Sequence, residues 1–596
     1  MANHRARRVC IGLLLALHAG LAIDAARRLT VTHDEYWHLP AGLLAWKTGR
    51  FDFDQLNPPL TRLWGALPLL FTSAEVDSQA AAKGLTELGD QFLEQNRANY
   101  ELYFTLARSM NVVWSLLTAW LLARWGRSVA GEWGSCLAVA LWTCCPTVLA
   151  NAALITPDMG GACLFFATLY AAWRMGGQTG WRRALGLGVL LGLAQLAKFT
   201  NVLLYPLVPM FWFVGRRDRE PTANDARSSG GSAGDSGAAP PPEPSGPGTW
   251  KARLRSAICY LAVAYCTSGV VLNAGYLFRG SFRSWGDYTF GSESLQPFSQ
   301  PTGWWRHLPI PFPSDFVQGL DEQRRIMEGR HPVYLDGTLS LVGFGEYFLC
   351  ALAYKMPHAA QWLFALALLF QLRPGKERVS WRREGMFWLP VLIMVGIGSS
   401  TRMQLGLRYV LPAFPFLHLL AAESARWVQW KRYRVRTVLV GLGVALLPLS
   451  LRHHPHHLAY FNEASGGPVG GRRHLLDSNL DWGQDLRELK RFLDDHQIDD
   501  VGLAYFGMLP PASLDIHYHL PPPRPQPGWF AVSVNFLQGR PHTIRNPDGS
   551  MRSVGVDEFG WLRGFVPVAR VGHSIDVFHI APEELRGSPP VWRRTP

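Results

Sequence analysis

Charged residues are scarce in this chain of 596 residues. Asp, Glu, Lys and Arg make up 17% of the sequence, whereas apolar residues make up 48%. Soluble globular domains usually carry about 25% charged residues. This low charge content argues against an ordinary soluble enzyme. The sequence also shows no repeat of fixed period, which argues against a repeat architecture.

The positions of the cysteines do not predict cross-links. The chain has eight cysteines, all in or beside apolar segments: Cys10, Cys136, Cys144, Cys145, Cys163, Cys259, Cys266 and Cys350. Seven of them lie outside the loops predicted to face the exterior, and Cys350 lies in the apolar stretch 341–354 at the end of one such loop. The sequence therefore indicates neither a disulfide framework nor a cysteine metal site.

Long apolar runs are the dominant feature of the sequence. Runs near or above the length needed to cross about 30 Å of hydrocarbon recur along the chain. They predict a polytopic α-helical membrane protein with about eleven transmembrane helices. The predicted spans are 9–26, 102–123, 135–153, 159–175, 184–199, 201–215, 254–278, 354–372, 385–402, 405–424 and 434–451.

Basic residues predict the orientation of these spans. Six Lys/Arg clusters fall on alternate loops, which the positive-inside rule places in the cytoplasm. They lie at 5–8, 124–127, 174–183, 216–219 together with 251–255, 373–383, and 431–436. The net charge of +13 then reflects topology and contact with membrane lipids, and no nucleic-acid partner is expected. Cleavage of the first span as a signal peptide would break this agreement.

The loops divide the chain into predicted parts. These are an N-terminal transmembrane half (1–217) with an exterior loop at 27–101, a disordered cytoplasmic linker (218–249), a C-terminal transmembrane half (250–451) with an exterior loop at 279–353, and an exterior soluble domain (452–596). The linker is rich in Gly, Ser and Pro and cannot bury a core. The stretch 341–354 predicts an interfacial helix ahead of a span that starts near Lys355. The tail predicts a small α/β or α+β domain, with a helix at 484–495 and strands in "WFAVSVNFL" and "IDVFHI".

Ionisable residues gather at the predicted outer ends of the spans. They are Asp34, Glu35, Arg108, Asp158, Lys198, Lys355 and Arg408, the last followed by Tyr409. Each cation alone is explained by a side chain that reaches towards the interface, and each acid by a cap or loop position. Their position at the same predicted depth in the membrane is harder to explain in this way, because ionisable groups beside spans usually face a cavity or each other. Carboxylates can deprotonate an acceptor, and cations can bind a departing phosphate.

Several motifs resemble a known family in their order along the chain. The stretch "DEYWHLPAGLLAWKTGRFDFDQLNPPLTRLWGALPLL" (34–70) is similar to the first exterior loop of lipid-carrier-dependent glycosyltransferases of the GT-C fold. This family-39-like group includes protein O-mannosyltransferases and aminoarabinose transferases. "NAALITPDMGGACLFF", "LAQLAKFTN", "YKMP", "LGLRYVLPAFPFL" and "YFNEASGGPVGGRRHLLDSNLDWGQDL" resemble later landmarks. The resemblance implies a GT-C-type bundle with interfacial helices in the first exterior loop.

The resemblance also implies roles for single residues. Asp34 would be the catalytic acid, supported by Glu35, and Asp158 the second acidic residue. The substrate-binding residues would be Lys198, Lys355 and Arg408 at the phosphate, together with Tyr409, Arg62, Arg108 and His38. One position departs from the family. Many relatives carry His or Lys before the Pro-Pro pair, whereas Asn57 stands there, so Arg62 is the predicted replacement.

The implied activity is an inverting transfer of a hexosyl or pentosyl group from a polyprenyl-phosphate-sugar. The acceptor would be a protein, lipid or glycan of the cell envelope, outside the plasma (inner) membrane. No cofactor is certain, and a divalent cation stays open because some relatives need one. Two alternatives also stay open. A transporter or lipid flippase could line its path with the same charges, and a non-enzymatic scaffold would leave Asp34 and Asp158 unexplained.

Several other histidines and acids have more than one interpretation. His33 and His38 could orient the carboxylates, bind an ion or be plain interfacial histidines. The tail histidines could bind zinc, although adjacent pairs converge poorly on one ion; they are His453, His454, His456 and His457. A loop with EF-hand-like offsets could bind calcium, its members being Asp477, Asn479, Asp481, Asp485 and Glu488. Two alternatives stay open for that loop: an Asp481–Gln484 capping pair at a helix start, and a loop that touches the donor or acceptor above the membrane.

Overall fold

The computed structural model describes residues 2–217, 250–299, 302–372, 381–425 and 433–585. The predicted linker 218–249 lies outside the described residues. Before it, the chain forms α1 (Ala2–Arg28), α2 (Glu35–Thr48), α3 (Leu60–Ala66), α4 (Ser78–Lys83), α5 (Leu85–Gln95), α6 (Tyr100–Thr143), α7 (Pro146–Ala152), α8 (Pro157–Arg174), α9 (Trp181–Ala197) and α10 (Leu204–Arg217). The short helices α2 to α5 all lie within the predicted first exterior loop.

Further helices follow the linker and continue into the tail. The helices are α11 (Trp250–Gly275), α12 (Ser314–Glu328), α13 (Tyr347–Lys355), α14 (His358–Gln371), α15 (Trp381–Ser400), α16 (Phe414–Ala422), α17 (Tyr433–Arg452), α18 (Gly467–Gly471), α19 (Leu486–Asp495) and α20 (Val534–Leu537). A hairpin of β1 (Val333–Leu335) and β2 (Thr338–Ser340) lies in the second predicted exterior loop. Each of the eleven predicted spans overlaps at least one helix.

Several of these helices are apolar enough to cross a membrane. By length and composition, three helices of the described residues qualify, or up to four if the bent pair α7–α8 is one span. Shorter apolar helices fall in other predicted spans, among them 358–369 and 384–400. The structure therefore supports a mostly helical chain with several apolar helices, and the count of eleven spans stays a prediction.

Breaks in the helices coincide with breaks between predicted spans. Inside α6, Gly131 has a φ of 74°, a left-handed conformation that favours glycine. It separates the predicted spans 102–123 and 135–153. Helices α7 and α8 meet at an angle of 112°. Helices α13 and α14 are separated at Pro357, because a proline has no backbone N–H to continue the helix.

Small residues let two apolar helices approach closely. Helix α9 packs along α11, and Gly188 and Gly192 lie at their contact. A Cβ on Gly188 would come within 2.4 Å of the Ala264 carbonyl oxygen, and one on Gly192 within 2.6 Å of the Val271 side chain. This close backbone contact is the packing that small residues permit between membrane helices.

The tail contains a five-stranded mixed sheet. Its strands are β3 (Val501–Ala504), β4 (Tyr518–His519), β5 (Gly528–Ser533), β8 (Ala569–Val571) and β9 (Ile575–Ile580), in the order β4-β3-β5-β9-β8. Strand β3 is parallel to both neighbours, while β9 is antiparallel to β5 and β8. A separate hairpin joins β6 (His542–Arg545) to β7 (Met551–Val554).

Two tail predictions need correction at their ends. The predicted strand "WFAVSVNFL" is wrong after Ser533, since residues 534–537 form α20. The predicted helix start at Asp481–Gln484 is also wrong. Helix α19 begins at Leu486, with Asp485 at its N-cap, and Asp481 instead accepts a hydrogen bond from the Gly483 backbone N–H in the preceding turn.

The tail packs on the first loop and shares a hydrophobic core with it. That core contains Tyr36 and Phe92 of the loop together with Leu486, Val501 and Ile575 of the tail. Burial of apolar surface on this scale stabilises the contact by roughly 25 cal/mol per Å². The tail is therefore packed against the loop that contains Asp34.

Candidate active site

Asp34 lies at the N-terminus of α2, directly after the turn that follows α1. Its carboxylate Oδ2 accepts a hydrogen bond from Arg408 Nη1 at 2.7 Å. Its Oδ1 lies 3.3 Å from His33 Nδ1. The side chain remains 22% exposed, so a reactant can still approach the carboxylate between these two partners.

The partners of Asp34 determine its ionisation. Burial raises the pKa of this carboxyl, but the charge of Arg408 and the hydrogen bond from His33 outweigh burial and hold the pKa well below its usual range. Asp34 is therefore ionised at neutral pH. A carboxylate held this strongly is a weak base, and its basicity rises only if Arg408 turns to another anion.

Asp158 approaches the same arginine from the first turn of α8. The N-terminus of a helix favours a negative charge. Oδ1 of Asp158 lies 2.5 Å from Lys198 Nζ, and Oδ2 lies 3.9 Å from Arg408 Nη1. Oδ2 makes no hydrogen bond although it is buried, so this oxygen can accept a bond from a bound ligand.

Arg408 links the two acids into one charge-balanced group. Asp34, Arg408, Asp158 and Lys198 form a chain of two carboxylates and two cations, here called the charge relay group. The Arg408 guanidinium lies 4.2 Å from the Trp482 ring centroid and 5.1 Å from that of Tyr409. These rings restrict its position, as cation–π contacts do. The predicted convergence of acids and bases holds for these four residues.

Glu35 and Arg108 form a second, fully buried pair. Arg108 Nη2 donates to Glu35 Oε2 at 2.6 Å and Arg108 Nε to Oε1 at 2.9 Å. Glu35 also accepts from the backbone N–H of Ile155 at 2.8 Å. Further Arg108 donors reach the backbone carbonyls of Ala26, Leu29 and Thr30. The pair ties α1, α2 and α6 together, and these contacts do not support the predicted substrate contact of Arg108.

The Arg62 side chain is also held by contacts within the protein. Its Nη1 donates to Asp54 Oδ2 at 2.7 Å and to the Asn57 carbonyl at 3.1 Å. It therefore holds the Pro-Pro loop in place. Beside it, His38 Nδ1 lies 2.9 Å from the Ile155 carbonyl and its Nε2 lies 3.5 Å from Asn57 Nδ2. The small cleft between His38 and Arg62 has a volume of about 10 Å³, room for about one water molecule.

Lys355 is buried at the end of α13. Its ammonium donates to the carbonyls of Leu458, at 2.8 Å, and Asn479. It also lies 4.5 Å from the Phe461 ring centroid. These contacts join the end of α13 to the tail. The predicted role of Lys355 at the donor phosphate stays a prediction, and the geometry supports it less than it supports Lys198 and Arg408.

Tail residues that sequence reasoning did not select line the site. Trp482 covers Arg408, and the ring of Phe506 stacks on His33 with centroids 5.9 Å apart. His542 meets His33 edge-on at 5.3 Å. Trp482 belongs to the stretch "DSNLDWGQDL", for which the sequence leaves open a calcium loop, a helix start or a loop that touches the donor or acceptor. The position of Trp482 beside Arg408 is compatible with the third interpretation.

The calcium interpretation fails on the positions of its proposed ligands. Asp477 pairs with Arg540 at 2.6 Å. The Asn479 side chain donates to Tyr347 Oη at 2.9 Å, and Asp485 accepts from Ser574 Oγ at 2.6 Å. Side chains that contact such different partners do not surround one ion.

One segment of the chain matches a known protein family. Residues 104–223 match the family model described as dolichyl-phosphate-mannose-protein mannosyltransferase. The predicted resemblance is confirmed over that segment. It contains Arg108, Asp158 and Lys198, whereas Asp34 and Arg408 lie outside it. No curated protein sequence matches the chain significantly.

Two solved structures are also similar to this chain. The crystal structure of ArnT from Cupriavidus metallidurans bound to undecaprenyl phosphate aligns with a TM-score of 0.45 and 14% identity, covering 85% of this chain and 74% of that chain. The structure of the same protein in the apo state aligns with a TM-score of 0.45 and 12% identity, covering 86% of this chain and 75% of that one.

Proposed function

We propose that this protein is a membrane glycosyltransferase of the GT-C type that uses a polyprenyl-phosphate-linked sugar. The observation that carries the proposal is the charge relay group, in which one arginine joins two carboxylates beside a lysine. The family match supports the donor class, since the family is described by a lipid-phosphate-mannose donor. The sugar goes to an acceptor outside the plasma membrane.

The charge relay group suggests how donor binding activates the base. A donor phosphate competes with the carboxylates for Arg408 and Lys198, because phosphate oxygens form strong charge-assisted hydrogen bonds with both. When Arg408 binds the phosphate, Asp34 loses its ion pair with Arg408 and becomes a stronger base. Asp34 then takes the proton of the acceptor hydroxyl, whose oxygen bonds to the anomeric carbon as the bond to phosphate breaks. The polyprenyl phosphate leaves with its charge held by the cations, and a single displacement inverts the anomeric centre.

The direct test uses the purified full-length protein. It is incubated with labelled polyprenyl-phosphate sugars and total envelope acceptors, and transfer of label is measured. Release of polyprenyl phosphate together with a labelled acceptor supports the proposal. Movement of labelled lipid across a vesicle membrane without cleavage of the sugar would support the flippase alternative.

Removing the relay cations is expected to weaken donor use. Lys198→Ala and Arg408→Ala should each lower donor affinity by about 1–3 kcal/mol, the scale of a hydrogen bond to a charged group. Binding of the labelled donor to the purified variants measures the effect. Arg50→Ala is the matched control, because Arg50 pairs with Asp52 at the surface. Unchanged affinity in both relay variants would remove the phosphate role, and a loss in folded Lys355→Ala would restore that of Lys355.

The exterior position of the tail is a separate prediction. Val566 is 86% exposed, whereas Ser533 is fully buried. In a cysteine-free background, Val566→Cys should react with a membrane-impermeant thiol reagent on intact cells, and Ser533→Cys should react only after denaturation. If Val566→Cys reacted only after permeabilisation, the tail and the site would face the cytoplasm.

A further inference from the structure

Both side chains that bind the Asp34 carboxylate lie against rings from the tail. Arg408, which donates to Oδ2 of Asp34, lies 4.2 Å from the Trp482 ring centroid. His33, which lies beside Oδ1, stacks on Phe506 with the two ring planes 27° apart. The tail therefore contacts the partners of Asp34 on both sides of its carboxylate.

Backbone hydrogen bonds also join the tail to the turn that precedes Asp34. The backbone N–H of Thr30 donates to the Gln484 carbonyl, and that of His33 donates to the Trp482 carbonyl, each at 2.9 Å. Buried backbone groups are nearly always paired, so these bonds hold the two turns together. The backbone of His33 is thus fixed relative to the tail, and its neighbours determine where its ring points.

Three rings surround the His33 imidazole. Phe506 and His542 belong to the tail, with centroids 5.9 and 5.3 Å from that of His33, and Trp37 belongs to α2, at 5.2 Å. Stacked and edge-on contacts at these distances are the favoured arrangements of aromatic pairs, and they restrict the rotation of the ring. The His33 side chain is only 17% exposed. Packing against these rings therefore sets its orientation.

The orientation of His33 determines which oxygen of Asp34 is free. An ionised carboxylate only accepts hydrogen bonds, so His33 Nδ1, 3.3 Å from Oδ1, must carry the proton between them. This bond holds Oδ1 and leaves Oδ2 to Arg408. When Arg408 turns to the donor phosphate, Oδ2 is the oxygen left to take the proton of the acceptor.

We propose that the tail completes the active site, with Phe506 and His33 as positioning residues for the Asp34 carboxylate. This role rests on the proposed function, in which Asp34 is the base. Phe506 touches no reacting atom; it holds the His33 ring, which in turn holds Oδ1. A base must lie within hydrogen-bond distance of the proton it removes, and a displacement of about 1 Å can lower a rate by about 100-fold. Loss of the Phe506 ring should therefore lower turnover without lowering donor affinity.

The experiment compares two phenylalanines of one hydrophobic cluster in the full-length protein in detergent. Phe506 and Phe559 are both buried, and both contact Phe536, with centroids 5.9 and 6.1 Å away. The stacked contact with His33 is made by Phe506. Phe506→Leu should lower kcat of sugar transfer by about tenfold or more and leave the Kd of the labelled donor unchanged. Phe559→Leu, the matched control, should keep the wild-type kcat, and equal kcat values in the two variants would overturn the proposal.

Variants of His33 give a readout that a purely structural role of Phe506 would not change. His33→Asn keeps an amide donor near the place of Nδ1, so it should keep more of kcat than His33→Leu, which has no donor. Adding Phe506→Leu to His33→Leu should lower kcat little further, because Phe506 then has no imidazole to hold. Full multiplication of the two losses in the double variant would overturn the role of Phe506.

Transfer by the wild type separates this role from the proposed function. If the wild type transfers no sugar, the proposed function is rejected and the positioning role with it. If the wild type transfers sugar but the two phenylalanine variants are equal, the positioning role alone is rejected. Should Phe506→Leu not fold, the His33 pair decides, since equal kcat values in His33→Asn and His33→Leu would reject the hydrogen bond to Oδ1 as the positioning contact.

Discussion

Asp34→Asn is expected to lower sugar transfer by about 100-fold or more while the protein stays folded, the scale of losing a general base. The amide has the shape of the carboxylate but cannot accept the acceptor proton. It also removes the charge that holds Arg408 before the donor binds. Donor binding should therefore be kept or improved while turnover falls. Single-turnover transfer and donor binding are measured on the same purified preparation.

Asp52→Asn is the matched control for this result. Asp52 lies in the same loop and pairs with Arg50 at 2.7 Å, but its side chain is 40% exposed and outside the charge relay group. Transfer by this variant should stay near the wild-type rate. Near-wild-type transfer by a folded Asp34→Asn protein would reject the general-base role and leave the flippase alternative ahead.

The helices were predictable because their cause is local. A membrane helix needs an apolar run of a given length, and that length can be read along the chain. Even the break inside α6 has a local cause in Gly131. The number of spans stays a prediction, because only some helices of the described residues are long enough alone.

The partners of the site residues depend on long-range contacts. Sequence placed Asp34, Asp158, Lys198 and Arg408 at one level, and the structure joins them. The sequence alone could not show that Arg108 pairs with Glu35, since an arginine can pair with any acid predicted at the same depth. Pairing in a buried site is set by geometry and by the cost of leaving a charge alone.

The tail was the part least open to sequence reasoning. The periodicity of 484–495 predicts a helix, and the pattern of 575–580 predicts a strand. Neither indicated that Trp482 and Phe506 reach back to the first loop, because such contacts span more than 400 residues of chain between His33 and Phe506. Mixed sheets formed by distant strands carry the same ambiguity.

Arg108→Met should destabilise the protein by about 3–5 kcal/mol, the usual cost of breaking a buried ion pair from one side. The Glu35 carboxylate is fully buried and would lose both of its bonds to the guanidinium. The backbone carbonyls of α1 and the following turn would lose their donor as well. The unfolding temperature of the detergent-solubilised protein should fall clearly below that of the wild type.

The double variant Glu35→Gln with Arg108→Met separates the structural role from a substrate contact. It leaves no uncompensated charge, so it should recover part of the lost stability, which two independent losses would not do. Transfer per folded molecule should stay close to that of the wild type, because the hydrogen bonds that the structure gives these two side chains go mainly to each other and to backbone groups, not to the Asp34 or Asp158 carboxylate. A stable Arg108→Met protein with weakened donor binding would instead place Arg108 at the substrate, as the family resemblance implies. Under the structural role, Arg108→Met lowers stability and leaves donor affinity unchanged. Under the substrate role, it lowers donor affinity and leaves stability unchanged.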